Sequence, residues 1–140
     1  RRRGDVAGDQ EMMQAINWTP EHVAAFAPSV EASPMAPLVT PERVLNESIL
    51  LEYRRGDQRA LLAVKGVALP LGNLLDIVGL VSDGARIESA PALEALRRFS
   101  LLHGINYITM MTRRDHVARA CTRAGWRTTG VVMVGQVNHV

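Results

Sequence analysis

Residues 58–84, QRALLAVKGVALPLGNLLDIVGLVSDG, decide how this chain is read. Their apolar residues fall into runs at 60–65, 67–71 and 74–81, each of strand length, separated by Gly66 and by the pair Gly72-Asn73. Glycine and asparagine enter the left-handed backbone of a tight hairpin at little cost, so the pattern predicts an antiparallel meander of three strands. Ser82-Asp83-Gly84 closes it.

On the C-terminal side, Pro91 opens a helix capped by Ser89 or Ala90, with a stripe of Ala92, Leu96 and Phe99 that stops at Gly104. A strand over 105–111 follows. Val117, Ala120, Cys121 and Ala124 then recur at helical spacing, the apolar stripe of a helix that Gly125 ends. The run 126–140 reads as two strands or one bent hairpin around Gly130 or Gly135. On the N-terminal side, Asp9 caps a short helix with Met12, Met13 and Ile16 facing inward. Thr19-Pro20-Glu21 and Thr40-Pro41-Glu42 each combine a hydroxyl cap, a first-turn proline and an acid, so two more helices start there. The second carries Val44, Leu45, Ser48, Ile49 and Leu51 and ends by Gly56. Between them, 27–40 holds Pro28, Pro34 and Pro37 and reads as a loop, exposed for a partner. Helices, a meander, then helix, strand, helix and strands make an α+β domain, in which a crossover helix joins two parallel neighbours of a mixed sheet.

A chain of 140 residues predicts one domain, spanning 1–140. Cys121 is the lone cysteine, which excludes an intrachain disulfide and a zinc site built on cysteine pairs. The longest apolar region, 67–81, is broken by Pro70, Gly72, Asn73, Asp76 and Gly79, so a soluble protein without a membrane segment is expected. Sixteen basic residues, all arginine except Lys65, face 14 acids, and a net charge of +2 does not call for a nucleic-acid partner. Arg113, Arg114, Arg119, Arg123 and Arg127 read as a solvated helix face. His22, His103, His116 and His139 share no ligand spacing with carboxylates, so no metal is expected.

The order of elements, with Gly104-Ile105 opening a strand, a polar break at 112–115 and a helix ending Ala124-Gly125-Trp126, resembles the GNAT superfamily of acetyl-CoA-dependent N-acetyltransferases. The resemblance runs from Arg3 to the C-terminus. It implies a mixed, mostly antiparallel central sheet flanked by helices. In active members it also implies a Gln/Arg-x-x-Gly-x-Gly/Ala loop after the fourth strand, holding the coenzyme A pyrophosphate, and a tyrosine that protonates the departing thiolate. Here 82–91 keeps a single early glycine, Gly84; Ile87 and Glu88 stand in the approach, Pro91 removes a donor, and Asp83 and Glu88 repel a diphosphate. Arg86 and Arg113 are the remaining cofactor-binding candidates. The tyrosine position falls on Cys121, and the asparagine that starts the family's helix falls near Arg114.

Cys121 is thus a catalytic candidate by position, although a thiol on an apolar stripe near a helix C-terminus is ordinarily core. A Cys121–His116 dyad is excluded, because five residues put them on different helix faces. Asp76, in the strand matching the family's fourth, is the best-placed general base, ahead of Glu52 and Glu88. The run 63–72 further resembles the small GNAT-like internal virion proteins of T7-type podophages. Together these imply a non-catalytic binding or structural component with a degenerate active site and no cofactor. In concrete form it is a bacteriophage virion protein, found in the virion or host cytoplasm. It would be held to other protein chains of a larger assembly through 27–40 or 131–140. The alternative is a divergent active N-acetyltransferase, moving an acetyl group from acetyl-CoA to an amine and holding acetyl-CoA by strand backbone and by Arg86 or Arg113.

Overall fold

A computed structural model of the chain describes residues 10–33, 40–84 and 87–130, together with 132, 133, 135 and 137. Five strands lie side by side in chain order: β1 (Glu11–Ile16), β2 (Ile49–Arg55), β3 (Gln58–Leu69), β4 (Gly72–Gly84) and β5 (Tyr107–Met110). The first four pair antiparallel, and β5 joins β4 in parallel. Parallel neighbours need a long crossover, which α3 (Ser89–Leu102) supplies. The other helices are α1 (Pro20–Glu31), α2 (Pro41–Leu45) and α4 (Asp115–Arg123). The α+β class and the mostly antiparallel sheet flanked by helices are as the sequence predicts.

Strand residues alternate between faces, and here both faces are covered. Leu51, Tyr53, Leu62, Val64, Leu75 and Ile77 pack on one face against Ala95 and Leu96 of α3. On the other, Leu50, Leu61 and Ala63 meet Phe26 and Val30 of α1 and Leu45 of α2. That is why 50–53 of β2 is buried without a break. The same run explains a difference from the sequence reading, which continues a helix to Gly56. Only Pro41–Leu45 is helical; Glu47 then turns the chain at φ 65° and β2 begins. Helical spacing and a continuous apolar run coincide over 44–51, and burial between two helical layers favours the strand.

The expected N-terminal helix is likewise a strand. Ladder bonds to β2 put Met13 on the α3 face and Ile16 on the α1 face, an arrangement no single helical stripe provides; Asp9 lies outside the described residues. The meander exists, but its strands are β2, β3 and β4. Gly66 is an ordinary strand residue paired with Leu75, and the turns fall at Gly56-Asp57 and Pro70-Leu71. α1 runs through Pro28 to Glu31, so the first part of the expected loop is helix; 34–39 lies outside the described residues. Over 126–130 no strand forms, and most of 131–140 lies outside the described residues. Two helix starts are as expected: Thr19 Oγ1 accepts from the His22 N–H, and Thr40 Oγ1 accepts from the Arg43 N–H. That of α3 is not: Glu88 is at the N-cap, and Ser89 and Ala90, the expected caps, are already helical.

The tightest fit in the fold lies between α1 and β4. Phe26 is fully buried, and a Cβ built on Gly79 would stand 2.7 Å from its Cδ1. Trp18 packs on Phe26 with ring centroids 5.4 Å apart and donates from Nε1 to the Ser48 carbonyl at 2.8 Å, so the ring cannot slide away. Gly79→Ala is expected to cost about 1–3 kcal/mol through overpacking. Phe26→Ala should cost about 3–5 kcal/mol through the cavity it leaves. Urea denaturation of each variant and of Gly79→Ala/Phe26→Leu checks this, the smaller ring-free side chain recovering part of the Gly79→Ala loss.

Candidate functional site

The parallel ladder of β4 and β5 ends at the pair Ile77 and Met110. One residue later β4 bulges: Ala63 of β3 pairs with Gly79 and Val64 with Ile77, so Val78 is the extra residue. A bulge sharpens local twist. β4 continues to Gly84 after β5 has stopped, and a notch opens between the two strands. This notch and the start of α3 beside it are where strand backbone and helix N–H groups would have to hold an extended, phosphate-bearing cofactor.

The notch is filled from inside the chain. Leu80 stays in register with Leu62 of β3 and presents its N–H and carbonyl to the other edge of β4; its N–H donates to Ser29 Oγ at 3.0 Å, and its carbonyl accepts from Arg114 Nη2 at 3.4 Å. Arg114 Nη2 also donates to Ser29 Oγ at 3.4 Å. About 20 Å³ of free space remains, room for a single water. Ser29 reaches this point because it follows Phe26 by one turn of α1. Arg114 reaches it from the N-cap position of α4, with its own backbone N–H donated to Thr112 Oγ1 at 3.0 Å.

The start of α3 is also occupied. Glu88 stands at its N-cap; the Glu88 N–H donates to Gln58 Oε1 at 2.9 Å, and Oε1 of its carboxylate accepts from Gln58 Nε2 and Arg55 Nη1, each at 3.0 Å. A carboxylate here suits the positive end of the helix dipole and meets any incoming anion with like charge. Glu88 is therefore a helix-start partner and not a free base.

The residues singled out in the sequence do not converge. Asp76 alternates with Leu75 and Ile77 of the α3-side core and so points to the α1 face, where it accepts from Thr109 Oγ1 at 2.9 Å. Burial pushes its carboxyl up, partly offset by the Thr109 hydrogen bond and by Lys65. Cys121 is buried on α4, on the opposite side of the sheet. Burial raises its thiol pKa, so it holds its proton where a nucleophile would lose it. Glu52 is buried on the α1 side beneath two guanidiniums, with Arg59 Nε at 2.7 Å and Arg54 Nε at 3.2 Å. Burial alone would raise its carboxyl, but the two arginines more than offset this and hold it below the usual range. Arg113 is exposed on the segment before α4, and Arg86 lies outside the described residues. His22 and His103 have structural partners: Nδ1 of His22 accepts from the Thr19 N–H at 3.2 Å, and Nδ1 of His103 lies 2.8 Å from the Phe99 carbonyl. Among the described residues no group of three or more metal-ligating side chains forms, and no helix is long and apolar enough to cross a membrane.

Ser29 and Arg114, which close the notch, were not legible as a pair. Ser29 sits in what reads as a proline loop, and the only pointer to Arg114 is its place directly before a helix, near the position of the family's asparagine.

No family model and no curated protein matches the sequence. Among solved structures, a single-substitution mutant of TTHA1254 from Thermus thermophilus superposes with a TM-score of 0.53 at 12% identity, over 91% of this chain and 98% of that one. A probable acetyltransferase superposes with a TM-score of 0.46 at 14% identity, over 94% of this chain and 99% of that one. The first likeness shows a shared fold and nothing about activity. The element order and the parallel β4–β5 pair agree with the mixed, mostly antiparallel sheet that the sequence resemblance implies.

Glu52 and Asp76 carry opposite pH signatures. Glu52 is depressed in the folded state, so its contribution is present above the ordinary glutamate pKa of about 4.3 and is lost as pH falls through the folded value. Asp76 is raised, so its contribution is present at low pH and is lost as pH rises through the folded value. In melts between pH 3 and pH 7, Glu52→Gln is expected to lower stability at neutral pH and flatten the acid limb. Asp76→Asn is expected to raise stability at neutral pH.

Proposed function

We propose that this chain is a non-catalytic binding protein on a GNAT-like fold. One observation carries the reading: the backbone of Leu80, at the strand edge that would hold an extended thioester arm, is already bonded to Ser29 and Arg114. An enzyme that held acetyl-CoA by strand backbone would need that N–H and carbonyl free. Three further features agree. The start of α3 carries the tethered carboxylate of Glu88, Cys121 at the acid's position is a buried thiol with a raised pKa, and Asp76 and Cys121 stand on opposite faces of the sheet.

A binding role needs a surface, and one end of the sheet supplies it. Leu71 is 93% exposed, Leu102 84%, Leu101 67% and Tyr107 60%. The β3–β4 turn and the α3–β5 corner that bear them are tied together, Asn73 donating from its N–H to Asn106 Oδ1 at 2.8 Å and from Nδ2 to the Gly104 carbonyl at 3.1 Å. Large apolar side chains gathered at one end mark a protein-contact surface. Of the loop and tail that the sequence suggests for a partner, 34–39 and most of 131–140 lie outside the described residues. The virion form of the proposal rests on the resemblance of 63–72 alone, which maps onto the end of β3 and the turn after it.

Acetyl-CoA tests the reading directly. A millimolar concentration over a micromolar dissociation constant stabilises a binder by about 4 kcal/mol, a rise on the order of 10 °C in Tm for a domain of this size. The expected result is an unmoved melting curve with acetyl-CoA and with free coenzyme A. A saturable rise with either would overturn the proposal in favour of the acetyltransferase.

A further inference from the structure

Between α4 and the α3 face of the sheet lies a cavity of about 370 Å³. Ala120 and Cys121 line it from α4, while Met13, Leu62, Leu96 and Met110 wall it from the sheet and α3. The two α4 residues are buried yet belong to neither core, because the cavity stands between. Packed interiors hold few voids larger than a water, and an apolar void stays dry and accepts an apolar guest.

The charge on its wall has one sign. Arg114 and Arg123 contribute to the lining, and among the described residues no aspartate or glutamate does. Arg114 commits only Nη2 to the notch among the described contacts, which leaves Nε and Nη1 as donors. Each donates singly, and a charge-assisted hydrogen bond from a guanidinium to a carboxylate is roughly twice as strong as one between neutral groups, which favours an anionic end group here.

We propose that this cavity binds an unesterified medium-chain carboxylic acid, its alkyl chain against the apolar walls and its carboxylate at Arg114. At roughly 30 Å³ per non-hydrogen atom, the share of a water in the liquid, the space takes about a dozen atoms. Decanoate has that size. The proposal rests on the non-catalytic reading, which leaves the cavity to a ligand other than a thioester.

Calorimetric titration of the full chain with decanoate, decanol and acetyl-CoA tests it, each ligand below its aggregation threshold. Decanoate is expected to bind one to one and decanol about tenfold more weakly or less, since the alcohol keeps the chain and loses the charge. Arg114→Gln should weaken decanoate about tenfold and leave decanol unchanged, while Arg113→Gln, one residue away and exposed, should change neither. Absence of decanoate binding, equal binding of decanol, or an equal loss in Arg113→Gln would overturn the proposal. If Arg114→Gln does not fold, the comparison of decanoate with decanol on the unaltered chain decides. Acetyl-CoA separates the two readings: binding of acetyl-CoA overturns the non-catalytic function whatever decanoate does, and failure of both ligands to bind overturns the fatty-acid site alone.

Discussion

The seat of Phe26 on Gly79 is the contact from which the rest of the molecule takes its geometry. It fixes α1 against β4 one residue past the bulge at Val78. Ser29, one helical turn further on, then meets the Leu80 N–H. The bulge also coincides with the end of the β4–β5 ladder. The absence of one Cβ therefore sets both the α1-side core and the closure of the notch, and the feature that opens the strands is the one that brings in the side chain that fills them.

Charge is used for construction throughout. Glu11 accepts from Tyr53 Oη at 3.1 Å and pairs with Arg98, tying β1, β2 and α3 together. Burial, and then this hydrogen bond, push the Tyr53 phenol up to about 12, so it stays a neutral donor at any physiological pH. Glu88 ties the β2–β3 hairpin to the start of α3 through Arg55 and Gln58. Exposed pairs of this kind contribute little each. Their effect is positional, and Asp76, Glu52 and Glu88, the carboxylates the sequence offers as bases, each accept from a neighbour.

The amphipathic helices and the hairpin region were legible because their signals are local. Thr19 and Thr40 announce helix starts, Ala92, Leu96 and Phe99 mark the buried stripe of α3, and Gly125 takes a φ of 96° where the helix was expected to end. What failed to show was set by tertiary packing. Met12 and Met13 read as helix until β2 offers them a ladder, and Leu51 reads as part of a helical stripe with Val44 and Ser48 until β2 puts it and Leu50 on opposite faces of the sheet. The candidate residues fared alike. Asp76 and Cys121 are the positions to which the sequence resemblance points for chemistry, but no spacing in the chain reveals that they occupy opposite faces of the sheet. Arg114 and Ser29 are 85 residues apart, and only the bulge brings them together.

The short reach of the β4–β5 ladder has a consequence for how the molecule opens. Four residue pairs hold β5, whereas β3 and β4 share twelve. The β2–β3–β4 hairpins close between sequence neighbours, while β5 must wait for a fourteen-residue helix to cross over. Local unfolding runs along the weakest cooperative unit. The shortest ladder is that of β5, and Arg114 follows it in the chain, so release of β5 would also withdraw Arg114 from the notch. Exposure of the notch is thereby tied to the part of the sheet that the shortest ladder holds.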